Sequence, residues 1–439
     1  MKALLKLIAR RLLPPSWKRR IKIALNTTQS YLQLKRLELA QERMVKKFSR
    51  LEKIRVGFFL FSDAIWKYDL LFQLLQKSDR FEPTIYIVPL NHESPQEQKK
   101  TMGRALHTFQ LKGYSVVNCA LPQGGWIDVA DQYKPEIVFF STPWSITLPQ
   151  YSIMHFVERA LTCYVPYGYT TVKLYQGQYN MPMQNLCWKF FLETPLHLQL
   201  AQQYSSRKGR NAVVTGTPGV DALLLPPSTD APLVWKKQTT PHKRIIWAPH
   251  HTIPGVHRDL TFSTFLDIAD QMVELTDRYR GRVQFAFKPH PHLREKLSRP
   301  DIWGVEKTDA YYNTWATLPN AQLEEGMYVD LFQQSDALIH DSGAFAIEYL
   351  YTKKPILYLV SHSSVIDELN PFGRDAFNLP YLGENFESVV NFIERQVIRG
   401  EDPLYEARNH FFESRVCPPN QQTASQNIYD YLCSKLSKK

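Results

Sequence analysis

The stretch LFQQSDALIHDSGAFAIEYLYTKKPILYLV at residues 331–360 constrains the fold most. Ala337, Leu338, Ile339 and His340 form a short apolar run, long enough for a buried strand. A polar turn follows at Asp341, Ser342, Gly343 and Ala344. Phe345, Ile347, Tyr349 and Leu350 then predict a short buried helix, which Lys353, Lys354 and Pro355 stop. A second apolar strand occupies 356–360. A strand–helix–strand unit with both strands apolar belongs to a parallel sheet covered by helices on both faces.

The same alternation recurs along the chain. Strands are expected at 54–61 (IRVGFFLF), 84–90 (TIYIVPL), 114–117, 134–140, 211–217, 244–248 and 282–287, with helices between them. Residues 188–192 and 197–204 read as helices. The amphipathic helix at 262–279 buries Phe265, Ile268, Ala269, Met272, Val273 and Leu275. Residues 303–325 read as a long connection. With 439 residues, two doubly wound domains are expected. The four prolines at 226, 227, 232 and 241 mark residues 226–241 as a linker. The divisions are then a basic helical extension (1–50), a first domain (51–225), the linker, a second domain (242–415) and a closing helix (416–439).

Three turns at strand ends carry candidate chemistry. At Ser342 and Gly343 small residues let backbone N–H groups approach an anion. The alternative is that Asp341 and Ser342 only cap the helix. Pro249, His250 and His251 end another strand. The histidine pair is half of a metal site, but no third ligand of suitable spacing declares itself. At Lys288-Pro289-His290-Pro291-His292 two prolines hold His290 in a fixed orientation, suited to a phosphate group.

SDALIHDSGAFAIEYLYTKKPILYL resembles the SD-x-L-I-x-D-x-S-x-x-x-x-(E/D)…P-(I/V) signature of the CDP-glycerol glycerophosphotransferase family, the teichoic-acid and capsule polyol-phosphate transferases. FKPHP at 287–291 is similar to that family's R/K-x-HP segment, and IIWAPH at 245–250 to its strand ending in APT. The likeness spans about residues 138–359, with the motifs in the family's order. It implies a GT-B-like fold: two Rossmann-like doubly wound domains facing a cleft. It also implies donor contacts from Lys288, Pro249, His250, Ser342, Gly343 and Glu348, the signature's acidic position. Thr215 and Gly216, in a stretch resembling the family's TG-x-P-x-x-D, join them. His290 and Asp341 are the catalytic candidates. On the acceptor side stand Gly168, Tyr169 and Trp144. Tyr167 falls where the family carries a histidine thought to act as base, and an unperturbed tyrosine is a poor base at neutral pH.

The implied reaction transfers a polyol phosphate from a CDP-linked donor to a hydroxyl of a lipid-linked or polymeric cell-surface glycan, with no metal and no cofactor beyond the activated donor. Alternatives left open are a nucleotide-sugar glycosyltransferase, a nucleotide-sugar epimerase, and a non-catalytic glycan- or lipid-binding protein on the same scaffold.

Charge bears on partners. The net charge of +11 favours anionic ones. Residues 1–50 hold fourteen Lys and Arg against two Glu. Leu4, Leu5, Leu7, Ile8, Leu12 and Leu13 recur there at helical spacing, with Trp17 beyond. This is the composition of an interfacial helix on an anionic membrane surface. Packing on the chain's own domain is the bland alternative, and no nucleic-acid motif accompanies the charge. The five cysteines form no C-x-x-C pair, which fits a reducing cytoplasm. No apolar run reaches spanning length. The expected place is the inner face of the cell membrane, peripherally bound, and a homo-oligomer is left open.

Overall fold

The computed structural model describes residues 15–226, 233–240, 242–256 and 261–438, with backbone only for 15–31. Two fully parallel sheets organise it. The first has seven strands in the order β3-β2-β1-β4-β5-β6-β7: β1 (Ile54–Leu60), β2 (Phe81–Ile87), β3 (Val116–Asn118), β4 (Ile137–Phe140), β5 (Leu161–Tyr164), β6 (Lys189–Leu192) and β7 (Ala212–Val214). The second has six, in the order β10-β9-β8-β11-β12-β13: β8 (Lys243–Ala248), β9 (Val283–Phe287), β10 (Ala321–Leu323), β11 (Ala337–His340), β12 (Ile356–Leu359) and β13 (Tyr381–Gly383). In each sheet the strand order reverses once, between β1 and β4 and between β8 and β11. Ligands of open α/β sheets bind outside the strand ends at such points.

Each sheet has an apolar core on both faces. The reading of 188–192 as helix is corrected. KFFL at 189–192 is a strand between β5 and β7, with Phe190, Phe191 and Leu192 buried. Four residues are too few to show a helical period, and two flanking strands decide the matter. The long connection expected at 303–325 is instead a helix, Gly304–Thr317, followed by β10. The far side of the presumed linker is also part of the second domain. Trp235 is buried there, and Lys236 N–H donates to Gln322 Oε1 at 2.6 Å.

Four helices matter below: α1 (Pro15–Phe48), α2 (Phe265–Arg278), α3 (Gly343–Tyr349) and α4 (Ala424–Leu436). The apolar repeat expected at 4–13 lies outside the described residues. The last turns of α1 pack on the first sheet's domain: Phe48 is buried, and Gln41 donates to Leu186 O at 3.0 Å. α4 crosses back to the first domain, where Ile428, Leu432 and Leu436 join the core of β1 and β2. Asp221 anchors its start, accepting Ala424 N–H at 2.8 Å and Ser425 N–H at 2.7 Å. Among the described residues no helix is long and apolar enough to cross a membrane.

Candidate functional site

The site lies at the β8/β11 reversal. In the register of β8 with β9, Trp247 pairs with Phe287. His250 and His290 each lie three residues further on, so parallel pairing sets them side by side, and His290 N–H donates to Pro249 O at 3.1 Å. The rings of His250, His251 and His290 converge: His251 to His290 is 4.1 Å between centroids, His250 to His251 4.4 Å, and His250 to His290 5.1 Å. This is the third histidine that sequence spacing did not show. One ring nitrogen from each lies within 4.8 Å of the others, close enough to gather on a metal ion.

The hydrogen bonds argue for an anion instead. His290 Nδ1 accepts the N–H of His292 at 3.2 Å. His250 Nδ1 accepts the Thr252 N–H at 3.4 Å and lies 2.8 Å from the Thr252 hydroxyl, whose oxygen accepts Phe262 N–H at 3.0 Å. Lys296 Nζ lies against His251 Nδ1. With Nδ1 an acceptor, a neutral ring carries its proton on Nε2. Metal-bound histidines show the reverse pattern, donating from the second nitrogen. In His290 and His250 the ring proton therefore sits on Nε2. Burial, then the neighbouring His251, His250, His292 and Lys296, holds the His290 pKa well below its ordinary value. An arriving phosphate would supply the missing negative charge. Lys288 is buried beneath the same loop, and burial lowers its pKa to about 8, against the attraction of Glu324 and Glu325.

Asp341 ties these loops together. Its carboxylate accepts His250 N–H at 2.5 Å, Thr264 N–H at 2.7 Å and the Thr264 hydroxyl at 3.1 Å, and it is buried. Both oxygens are thus occupied by the protein, and its place is beneath the site rather than in it. Burial raises its pKa to about 6, although the bonds from Thr264 and His250 work the other way. Sequence reading passed over Thr264 and also His340. The His340 ring is buried with Nδ1 accepting Ser342 N–H at 3.1 Å, and desolvation holds its pKa down at about 3.

Ser342 is the residue before α3, but its side chain makes no capping bond, so the capping alternative is not what places it there. Gly343 has a different neighbour from the one expected. A Cβ there would lie 2.2 Å from Thr171 Oγ1, and one at Gly373 would lie 2.2 Å from the Thr171 carbonyl oxygen. Glycine at both positions makes the notch in which Thr171 sits. Residues 168–173 of the first domain run across the second, with Val172 bridged to Leu369. Asn370 N–H donates to Thr171 O at 2.9 Å, and Lys173 N–H to Glu368 O at 2.8 Å.

Three expected ligand contacts are corrected. Tyr169 is buried, with its hydroxyl 2.8 Å from that of Tyr351 and its ring stacked on Phe372, so it pins the domains together and does not face an acceptor. Thr215 is buried, and its carbonyl accepts the Asn427 side chain at 3.2 Å. Gly216 packs beneath Pro418 and Ala424. Both therefore seat the C-terminal segment and not the donor.

Tyr167 is 64 % exposed, and what burial its hydroxyl has moves its pKa up, away from neutrality. Beside it, Gly168 faces Glu348: a Cβ on Gly168 would lie 3.2 Å from Glu348 Oε1. Glu348 is buried, and its Oε2 accepts the Tyr328 hydroxyl at 2.7 Å. Burial raises its pKa to about 7, with Tyr328 opposing. Trp144 is 44 % exposed on the first domain.

Two Rossmann-like parallel sheets, joined across a cleft and tied by a C-terminal helix that crosses back, define the GT-B class of transferase and epimerase folds. A family profile described as CDP-Glycerol:Poly(glycerophosphate) glycerophosphotransferase matches residues 196–434, more than half of the chain. The chain belongs to that family and is a transferase of the CDP-glycerol glycerophosphotransferase type. Among solved structures, a variant of the wall teichoic acid polymerase TagF is similar at 12% identity and a TM-score of 0.54, covering 94% of this chain and 98% of its own. The UDP-GlcNAc 2-epimerase from Neisseria meningitidis bound to UDP-GlcNAc is similar at 17% identity and a TM-score of 0.52, covering 87% of this chain and 100% of its own. The S. aureus MnaA–UDP structure is similar at 18% identity and a TM-score of 0.51, covering 89% and 98%. At these identities the likeness is one of fold. No curated protein matches the sequence.

Proposed function

We propose that the chain moves glycerol phosphate, or a similar polyol phosphate, from a CDP-linked donor to a hydroxyl of a cell-surface glycan. The observation that carries this reading is the convergence of His250, His251 and His290 at the β8/β11 reversal, with Lys288 and Lys296 behind them. Such a cluster can bind a pyrophosphate without metal and can offset the charge left on the departing CMP. An acceptor oxygen forms the new bond to the polyol-side phosphorus. The P–O bond to CMP breaks, and CMP leaves with the electron pair. Asp341 holds the His250 loop in place. The hydroxyl proton goes to Glu348, whose pKa near neutrality suits a base and which lies against Gly168, next to the exposed Tyr167. The basic first fifty residues would bring the enzyme to an anionic lipid surface carrying the acceptor, on the inner face of the membrane.

The test is thermal melting with CDP-glycerol, CMP and UDP-GlcNAc. At a hundred times its dissociation constant a bound ligand adds about 2.7 kcal/mol. Stabilisation by CDP-glycerol that disappears in His290→Ala supports the reading. Stabilisation by UDP-GlcNAc alone refutes it in favour of a sugar transferase or epimerase.

A further inference from the structure

The first domain has its own strand-order reversal, between β1 and β4, and a cavity of about 110 Å³ opens there, at the carboxyl ends of both strands. Its apolar walls come from Phe61, Phe140, Trp144, Met154, Met181 and Met183. In a chain with 53 Lys and Arg, none of the 17 residues lining this cavity is charged. No side chain on the wall would meet a phosphate with a counter-charge. The nearest cation, Lys67, lies behind it with Nζ already bonded to Ser141 O and Val165 O and its pKa lowered by burial to about 7, and burying a poorly paired charge is expensive. Serine and threonine hydroxyls on the wall, including Ser145 and Thr147, can meet uncharged polar groups.

Trp144 gives the cavity an orientation. One edge of its ring rests on Gly177, where an added Cβ would meet Cη2 at 3.1 Å, while the residue stays 44 % exposed. An indole held at one edge and part-exposed at the mouth of an uncharged cavity can stack against the apolar C–H face of a pyranose. The cavity is also fixed relative to the reacting loop. Lys67 Nζ donates to Ser141 O in the cavity wall at 3.1 Å and to Val165 O at 2.7 Å, two residues before Tyr167.

We propose that this cavity is the acceptor subsite and that it takes one neutral sugar ring, stacked on Trp144. The chain would then transfer to an uncharged glycan end, and a growing poly(glycerol phosphate) strand, with a negative charge on every unit, would not enter. The assignment of the sugar as acceptor rests on the transferase reading, but its binding does not, so binding is what should be measured.

The probe is octyl N-acetylglucosaminide, followed by saturation-transfer NMR on the full-length protein without donor. Ring-proton saturation is expected in the wild type. It should fall with affinity at least tenfold weaker in Trp144→Ala and recover largely in Trp144→Phe. Oligo(glycerol phosphate) should not displace the probe. Saturation confined to the octyl protons, displacement by octanol as readily as by N-acetylglucosamine, displacement by oligo(glycerol phosphate), or equal binding by Trp144→Ala each overturns the proposal. Melting with CDP-glycerol, run on the same variants, reports separately on the transferase reading and should be unchanged by either substitution.

Discussion

Under the proposed base role Glu348 links stability and turnover to pH in opposite directions, and Glu348→Gln separates the two. Burial raises the carboxyl from its ordinary 4.5 to about 7. Its neutral form therefore contributes stability that is complete below pH 4.5 and is lost as pH rises through about 7. A rise of that size amounts to about 3 kcal/mol. The side chain is 3 % exposed, so solvent screening removes little of this. Gln keeps the volume and still accepts the Tyr328 hydroxyl, but it does not titrate. The groups facing Glu348 are Tyr328 at 2.7 Å and, more weakly, Tyr169, whose pKa lies far above this window. Asp341 and Asp221, each raised to about 6, change stability over much of the same range, so the comparison must be between wild type and variant at each pH. Urea unfolding at about pH 5 and about pH 8.5 measures it: the variant should gain on the wild type by about 3 kcal/mol between the two. A proton-accepting carboxylate acts only when ionised, so kcat of the wild type should climb through about pH 7. In the variant kcat should drop by about a hundredfold or more and lose that limb, with donor KM little changed. Parallel stability curves for the two proteins would refute the buried-carboxylate argument. A raised donor KM with intact kcat would move Glu348 from the base role to donor binding.

His290→Ala should abolish stabilisation by CDP-glycerol, and in the wild type donor binding should take up protons as phosphate raises the depressed histidine pKa values; binding enthalpies in buffers of different ionisation heat would show this, and proton release would contradict it. Gly343→Ala and Gly373→Ala should each cost about 1–3 kcal/mol by overpacking, read from urea midpoints. Adding Thr171→Ala should rescue the first, where the clash is with Oγ1, and not the second, where it is with a backbone carbonyl. Asp221→Ala leaves two N–H groups at the start of α4 without their acceptor and should lower stability by about 1–3 kcal/mol, seen as an earlier unfolding transition.

The apolar strands of the 331–360 unit were legible because parallel strands buried on both faces are written as unbroken apolar runs. KFFL at 189–192 was not, because a four-residue run carries no period and only its neighbours β5 and β7 make it a strand. The site divides in the same way. His290 between two prolines stands out locally. Its partnership with His250 and His251 depends on the Trp247–Phe287 register, a fact about pairing across 40 residues that no local pattern encodes. The glycine of the DSG turn was read as making room for a phosphate. What it makes room for is Thr171, over 170 positions earlier. A glycine in a sequence announces a close approach and not what approaches.

That close approach also bears on how the cleft works. The contact made by residues 168–173 joins one buried side chain, Tyr169 against Tyr351 and Phe372, to a run of main chain: a bridge from Val172 to Leu369, bonds from Asn370 and Lys173, and two notches that lack a Cβ. Side-chain interfaces can yield gradually through rotamer changes. Backbone seated on glycine cannot, since a shift of one ångström breaks the bonds and the close packing together. The segment should therefore dock or undock as a unit. Gly168, which lies against Glu348, begins the same segment, so undocking would expose Glu348 to water and return its pKa toward the ordinary range. The near-neutral carboxyl then belongs to the docked arrangement, and under the proposed base role that is where the proton acceptor is tuned.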